Sequence, residues 1–164
     1  MADLEATRTR PIEQFFEVTK NVPAGMLGIE GSGHHMQPMH ANCDPEAGKL
    51  WFFAKSDSDI AADIGEGRMA HFCVIGPSQD YYACVSGPVT LNSSQAAIDR
   101  YWNSVAAAWF HDKSDPKLIM IEMTLHDGMA WASTDSSLAF GWEILKSNMT
   151  GGEPDVGVRQ SFTF

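Results

Sequence analysis

The chain has 164 residues, 44% of them hydrophobic, enough for a single domain over 1–164 whose core needs neither disulfides nor a metal. Eleven Lys and Arg against 21 Asp and Glu give a net charge of -10, which repels a phosphate backbone and sets nucleic acid aside as a partner. No run of about eighteen apolar residues marks a membrane span, the opening MADLEATRTR is polar, and three cysteines without close pairing read as free thiols, so a soluble cytoplasmic protein is expected.

PIEQFFEVTK (11–20) places Pro at a first helical position and Ile12, Phe15, Phe16 and Val18 at amphipathic spacing, which predicts a short helix with the Phe pair toward the core. AGMLGIE (24–30), followed by the turn Gly31-Ser32-Gly33, predicts a first strand, with GHHMQPMHANCD (33–44) as its return strand. LWFFAK (50–55) predicts a third strand, paired with the second across the loop NCDPEAGK (42–49). SDSDIAADIGEG (56–67) offers Ser and Asp caps and glycine stops for a short helix. RMAHFCVIG (68–76) and YYACVSGPVTLN (81–92) predict two strands joined by PSQD, the second bent at Gly87-Pro88. SQAAIDRYWNSVAAAW (94–109) predicts one long helix, with Ile98, Trp102, Val105 and Trp109 at helical spacing. KLIMIEMTLHDGMAWAS (117–133) predicts a strand, a His-Asp-Gly turn and another strand. FGWEILKSNMTGG (140–152) has helical content, and a poorly ordered tail is expected beyond a domain core of about 11–151. The sum is an α+β, mainly antiparallel fold: a small barrel of six or seven strands with two or three flanking helices.

GHHMQPMHANCD holds three of the six histidines beside Cys43, a set with metal-ligand chemistry. On an extended strand, however, His34 and His40 share one face with Met36 while His35 and Cys43 point to the other. The two same-face histidines lie about 20 Å apart at ~3.3 Å per residue, too far for one ion, so polar strand edges are expected and no metal site. No G-x-S-x-G elbow, phosphate loop of the G-x-x-x-x-G-K-[ST] type or G-x-G-x-x-G turn occurs. Nine Met and five Trp suit a packed core and equally a flat ring ligand.

Taken in order, AGMLGIEG, QPMHANCDPEAGKLWFFAKSDSD, YYACVSGPVTL and the helix ending AAAWF before Asp115-Pro116 resemble bacterial general stress proteins (general stress protein 26-like) of the pyridoxamine 5'-phosphate oxidase-like, FMN-binding split-barrel superfamily. The resemblance runs over about 11–151. It implies a six-stranded split β-barrel with flanking helices, and a homodimer with flavin at the subunit interface. FMN is the implied cofactor, with FAD as the alternative. By the same resemblance Gln37, Pro38 and Met39 run along the flavin ring, and Phe53, Ala54 and Lys55 approach its ribityl chain and phosphate. Ser58 opens the next helix, and Trp109 and Phe110 close the long one, lining the site from the partner subunit or packing in the core. The family's basic residue after that Ser is replaced by Asp59 and Ile60, which leaves Lys55 as the nearest cation, with His34, His35 or His40 as further donors. The implied activity is flavin-dependent oxidoreduction of an unidentified small molecule, or flavin binding without catalysis. Pyridoxamine phosphate oxidation is not expected, because no matching C-terminal arginine and histidine motif is present, and no residue is singled out as catalytic acid or base.

Overall fold

A computed structural model of the chain describes residues 2–64, 67–133, 144–149, 151 and 157–164. Two helices lead. Asp3 caps α1 (Leu4–Thr9) by accepting from the Ala6 N–H at 2.9 Å, and Pro11 opens α2 (Pro11–Asn21). Phe15 and Phe16 of α2 are buried, and the two polar groups beside them are satisfied: Thr7 donates to Gln14 Oε1 at 2.7 Å, and Gln14 donates to the Asp3 carbonyl at 2.9 Å.

The strands that follow are β1 (Ala24–Ile29), β2 (Gln37–His40), β3 (Asn42–Asp44), β4 (Lys49–Lys55), β5 (Arg68–Ile75), β6 (Tyr81–Asn92), β7 (Leu118–Thr124), β8 (Asp127–Ser133) and β9 (Gly157–Thr163). They form one antiparallel sheet in the order β2-β1-β5-β6-β7-β4-β3. β2 passes into β3 through Ala41 alone, whose N–H is held by the Pro23 carbonyl at 2.8 Å. Counted as one bent strand, β2 and β3 close a six-stranded ring, and the expected α+β split barrel with flanking helices is the fold.

The split arises at β6. Its first half, 81–86, pairs with β8, and its second half, 89–92, pairs with β7. β7 and β8 therefore behave as a single strand bent at Leu125-His126: one half stays with β4 in the ring and the other leaves it to meet β9. Gly87 faces the bend, where a Cβ would lie 1.8 Å from the Thr124 carbonyl oxygen. Only glycine lets the two backbones approach this closely.

Alternation along β5 and β6 sends Ala70, Phe72, Val74, Tyr81, Ala83 and Val85 into the barrel core. β4 is covered on both faces, which explains its unbroken apolar run. Leu50, Phe52 and Ala54 enter the barrel, while Trp51 packs with Ile98, Phe110, Leu118 and Met120 in a second cluster outside it. A short helix, α3 (Asp59–Asp63), follows β4, and α4 (Gln95–Tyr101) and α5 (Ser104–Trp109) follow β6.

Three expectations are corrected. The single helix over 94–109 is two, because Asn103 turns its carboxamide oxygen onto the N–H groups of Val105 (2.9 Å) and Ala106 (3.0 Å), acting as an N-cap where a helix interior was read. The return strand is only four residues long: His34, His35 and Met36 sit in a loop following Gly31 and Gly33, whose φ values are +70° and +79°. The last eight residues, 157–164, are not a loose tail. β9 pairs with β8 over seven residues and inserts Phe162, whose ring packs with Phe164 against Phe15. The helix expected over 140–152 lies partly outside the described residues; 144–149 is helical. Among the described residues no helix is long and apolar enough to cross a membrane.

Candidate functional site

β2, the end of β4, α3 and α5 enclose a cavity of about 310 Å³. Gln37, Pro38, Met39 and His40 form one wall. β2 ends the sheet order, so its second edge has no strand partner among the described residues and its backbone polar groups are available to a ligand. Phe53, Ala54 and Lys55 form the floor and mouth, with Ser58 and Ile60 beside them, and Asn103, Val105, Ala106, Trp109 and Phe110 form the opposite wall.

The position of α5 depends on Asn103. Besides capping the helix, its amide donates to Asn42 Oδ1 at 2.9 Å and so ties α5 to β3. α4 is anchored in parallel: the buried Asp44 carboxylate accepts from Tyr101 Oη at 2.9 Å and pairs with Arg100 Nη1 at 3.2 Å. Trp109 ends α5 and is 69% exposed, so its indole borders the cavity and is not core.

Among the described residues, Lys55 and His40 are the ionisable side chains lining the cavity. Lys55 is exposed and has no carboxylate within salt-bridge distance among the described residues. The neighbouring Asp57 carboxylate is taken by Lys117 at 2.7 Å, a hydrogen bond that also holds Asp57 below the usual carboxylate range. Ser58 donates to the Lys55 carbonyl at 2.6 Å and accepts from the Ala61 N–H at 3.4 Å, which fixes the loop between β4 and α3. Burial pulls His40 below its ordinary 6.5, which favours the neutral imidazole. Asp59 lies in a neighbouring hollow with His34, His35 and Asp63, where His34 Nδ1 and Asp63 Oδ2 are 2.7 Å apart. Among the described residues no group of three His, Cys, Asp or Glu is close enough to share a metal ion.

A family model described as pyridoxamine 5'-phosphate oxidase like matches residues 10–155. The chain belongs to the pyridoxamine 5'-phosphate oxidase-like family.

Solved structures similar to this family member include a candidate general stress protein 26 from Jannaschia sp. CCS1, at 29% identity, with 92% of this chain and 96% of that chain covered and a TM-score of 0.73. A general stress FMN/FAD binding protein from Xanthomonas citri is 30% identical, with 76% and 89% covered and a TM-score of 0.70. A candidate general stress family protein from Xanthomonas campestris pv. campestris is 29% identical, with 83% and 93% covered and a TM-score of 0.71. Among curated proteins none matches the chain.

In this pyridoxamine 5'-phosphate oxidase-like chain the structure gathers Gln37, Pro38, Met39, Phe53, Ala54, Lys55, Ser58 and Trp109 around the one cavity. Of the three histidines suggested as extra donors, His40 lines it and His34 and His35 line the hollow beyond Ile60. Asn103, Val105 and Ala106 escaped the sequence reading because the apolar period of 94–109 runs through them. The Asn-Ser pair within that run was the available signal for a second helix start.

Proposed function

We propose that the cavity binds a flavin, with FMN favoured over FAD, and that the protein is a flavin-dependent oxidoreductase of the general stress type acting on a small molecule. The observation that carries this reading is the convergence on one cavity, among the described residues, of an unpaired strand edge, apolar and aromatic walls, and a single cation at the mouth. Each part suits a different part of the ligand. The β2 edge offers N–H and C=O groups to the heteroatoms of a flat ring, while Pro38, Met39, Phe53 and Trp109 exclude water from its faces. Lys55 supplies the positive charge a phosphate needs, and Asp57 is held away from that phosphate by Lys117. A flavin supplies hydride or electron transfer; these residues bind it, orient it and set the hydrogen bonds that tune it. The similarity to a general stress FMN/FAD binding protein supports the same reading.

The volume is at the lower end of the range for small-molecule sites, roughly 300–1,000 Å³. A homodimer in which a second copy covers the side bordered by the exposed Trp109 would complete the enclosure. The experiment is titration of the purified protein with FMN and with FAD, followed by flavin fluorescence and by light scattering for mass, and then an assay of NAD(P)H oxidation. Saturable quenching with one flavin per chain in a dimer is expected; absence of quenching by either flavin overturns the proposal. A non-catalytic binding protein is the second reading, favoured by the lack of any carboxylate or thiol lining the cavity among the described residues. Flavin binding without turnover of any electron donor would establish it.

A further inference from the structure

On the outer face of the barrel, β5 and β6 run antiparallel with Cys73 directly opposite Cys84. Their sulfurs are 3.1 Å apart. Antiparallel partners have Cα separations of about 4.5 or 5.5 Å, within the roughly 4.4–6.8 Å that a disulfide spans. Closing the bond needs a sulfur movement of about 1 Å, to ~2.05 Å, and no change of register. Cys43 is elsewhere, packed against the barrel core, and burial pushes its thiol up to about 11.

Two further residues equip the pair. His71, two residues before Cys73 on the same face, has Nδ1 3.8 Å from Cys84 Sγ. Its Nε2 is 2.7 Å from Glu30 Oε1 at the end of β1. Donation of the Nε2 proton to that carboxylate leaves Nδ1 as the basic nitrogen, aimed at the thiol. Cys73 and Cys84 are both partly exposed, and Cys84 and His71 border a hollow with Ser86, Asp127, Met129 and Trp131, so a small molecule has access to the pair.

We propose that Cys73, Cys84, His71 and Glu30 form a dithiol site that exchanges with low-molecular-weight disulfides and cycles between two thiols and a Cys73–Cys84 disulfide. The Cys73 thiolate attacks one sulfur of the small disulfide, forming a mixed disulfide and releasing one small thiolate. His71 Nδ1 takes the Cys84 proton, and the Cys84 thiolate attacks Cys73 Sγ, releasing the second small thiolate. Two electrons pass from the protein to the small disulfide, and the two protein protons end on the two released thiols. The hydrogen bond it shares with Cys84 pulls Cys73 down, which makes it the thiol that attacks first, and leaves His71 Nδ1 to serve Cys84. The shared proton, burial and the Asp127 carboxylate push Cys84 up, which is why that thiol needs a base. The site is separate from the flavin cavity and does not rest on that reading.

The test is incubation of the full chain with oxidised glutathione, acid quenching, alkylation of remaining thiols, and intact mass plus peptide mapping. A product lighter by two hydrogens, with Cys43 alone alkylated and Cys73 linked to Cys84, is expected, and reduced glutathione should reverse it. Cys84→Ser should accumulate one glutathionyl adduct on Cys73, and His71→Ala should slow ring closure on the order of tenfold or more and flatten its pH profile, in which Glu30, Cys84 and Asp127 are the other titrating groups facing the pair. Glutathionylation spread over all three cysteines, or a Cys73/Cys84 pair that stays fully reduced in protein whose circular dichroism is native, overturns the proposal.

Discussion

Among the described residues Lys55 is the cation that lines the cavity, and Lys117 is committed to Asp57. Lys55→Glu should weaken FMN binding about tenfold or more in a fluorescence titration, about 1.4 kcal/mol or above, and leave the melting temperature unchanged because the side chain is exposed. A second residue-scale consequence concerns the loop before β2. The hydrogen bond to Asp63, with its charge and that of Asp59, raises His34 above its ordinary 6.5. A raised folded-state value means the pairing is fully present below pH 6.5 and is lost as pH climbs through that higher value. An NMR titration should therefore place the His34 midpoint above 6.5, and Asp63→Asn should bring it back. The grouping of the QPM and FAK segments on one cavity was legible through the family resemblance, because each is a contiguous run on one strand. That Asp59 lines the hollow with His34 was not, since a single helical turn decides it.

At the scale of elements, α5 is held by few contacts and forms a whole wall of the cavity. Asn103→Ala removes its cap and the link to Asn42, and should cost about 1–2 kcal/mol in urea unfolding while lowering flavin affinity. Trp109→Ala should act in the opposite proportion, changing stability by less than about 0.5 kcal/mol but reducing FMN quenching, since the indole is 69% exposed. Alternation and turn residues made β1, β5, β6 and β8 readable in advance, and unbroken apolar runs did the same for β4 and β7, which are buried on both faces. The break at Asn103 and the register that sets Cys73 opposite Cys84 were not readable. Helix starts inside an apolar run and cross-strand partners are decided by tertiary pairing, which a linear period does not encode.

For the whole molecule, the bend between β7 and β8 is what separates ring from side sheet. Gly87→Val should lower stability by about 3 kcal/mol or more, since a Cβ there meets the Thr124 carbonyl at 1.8 Å and backbone cannot swing aside as a side chain would. The same order of loss is expected for Phe162→Ala, which empties the contact between β9 and α2. β9 was missed in the sequence reading because its alternating Val158, Gln160 and Phe162 show only one large apolar residue, and its worth comes from docking on β8 and the Phe15 and Phe16 rings. That docking also dictates an order of events on the ribosome. The apolar face of α2 is made among the first residues, yet the Phe162 and Phe164 that cover it are made more than 140 residues later. Throughout synthesis the Phe15-Phe16 face stays uncovered by its native partner, so the nascent chain is open to chaperones, and to aggregation, until the residues beyond 157 emerge.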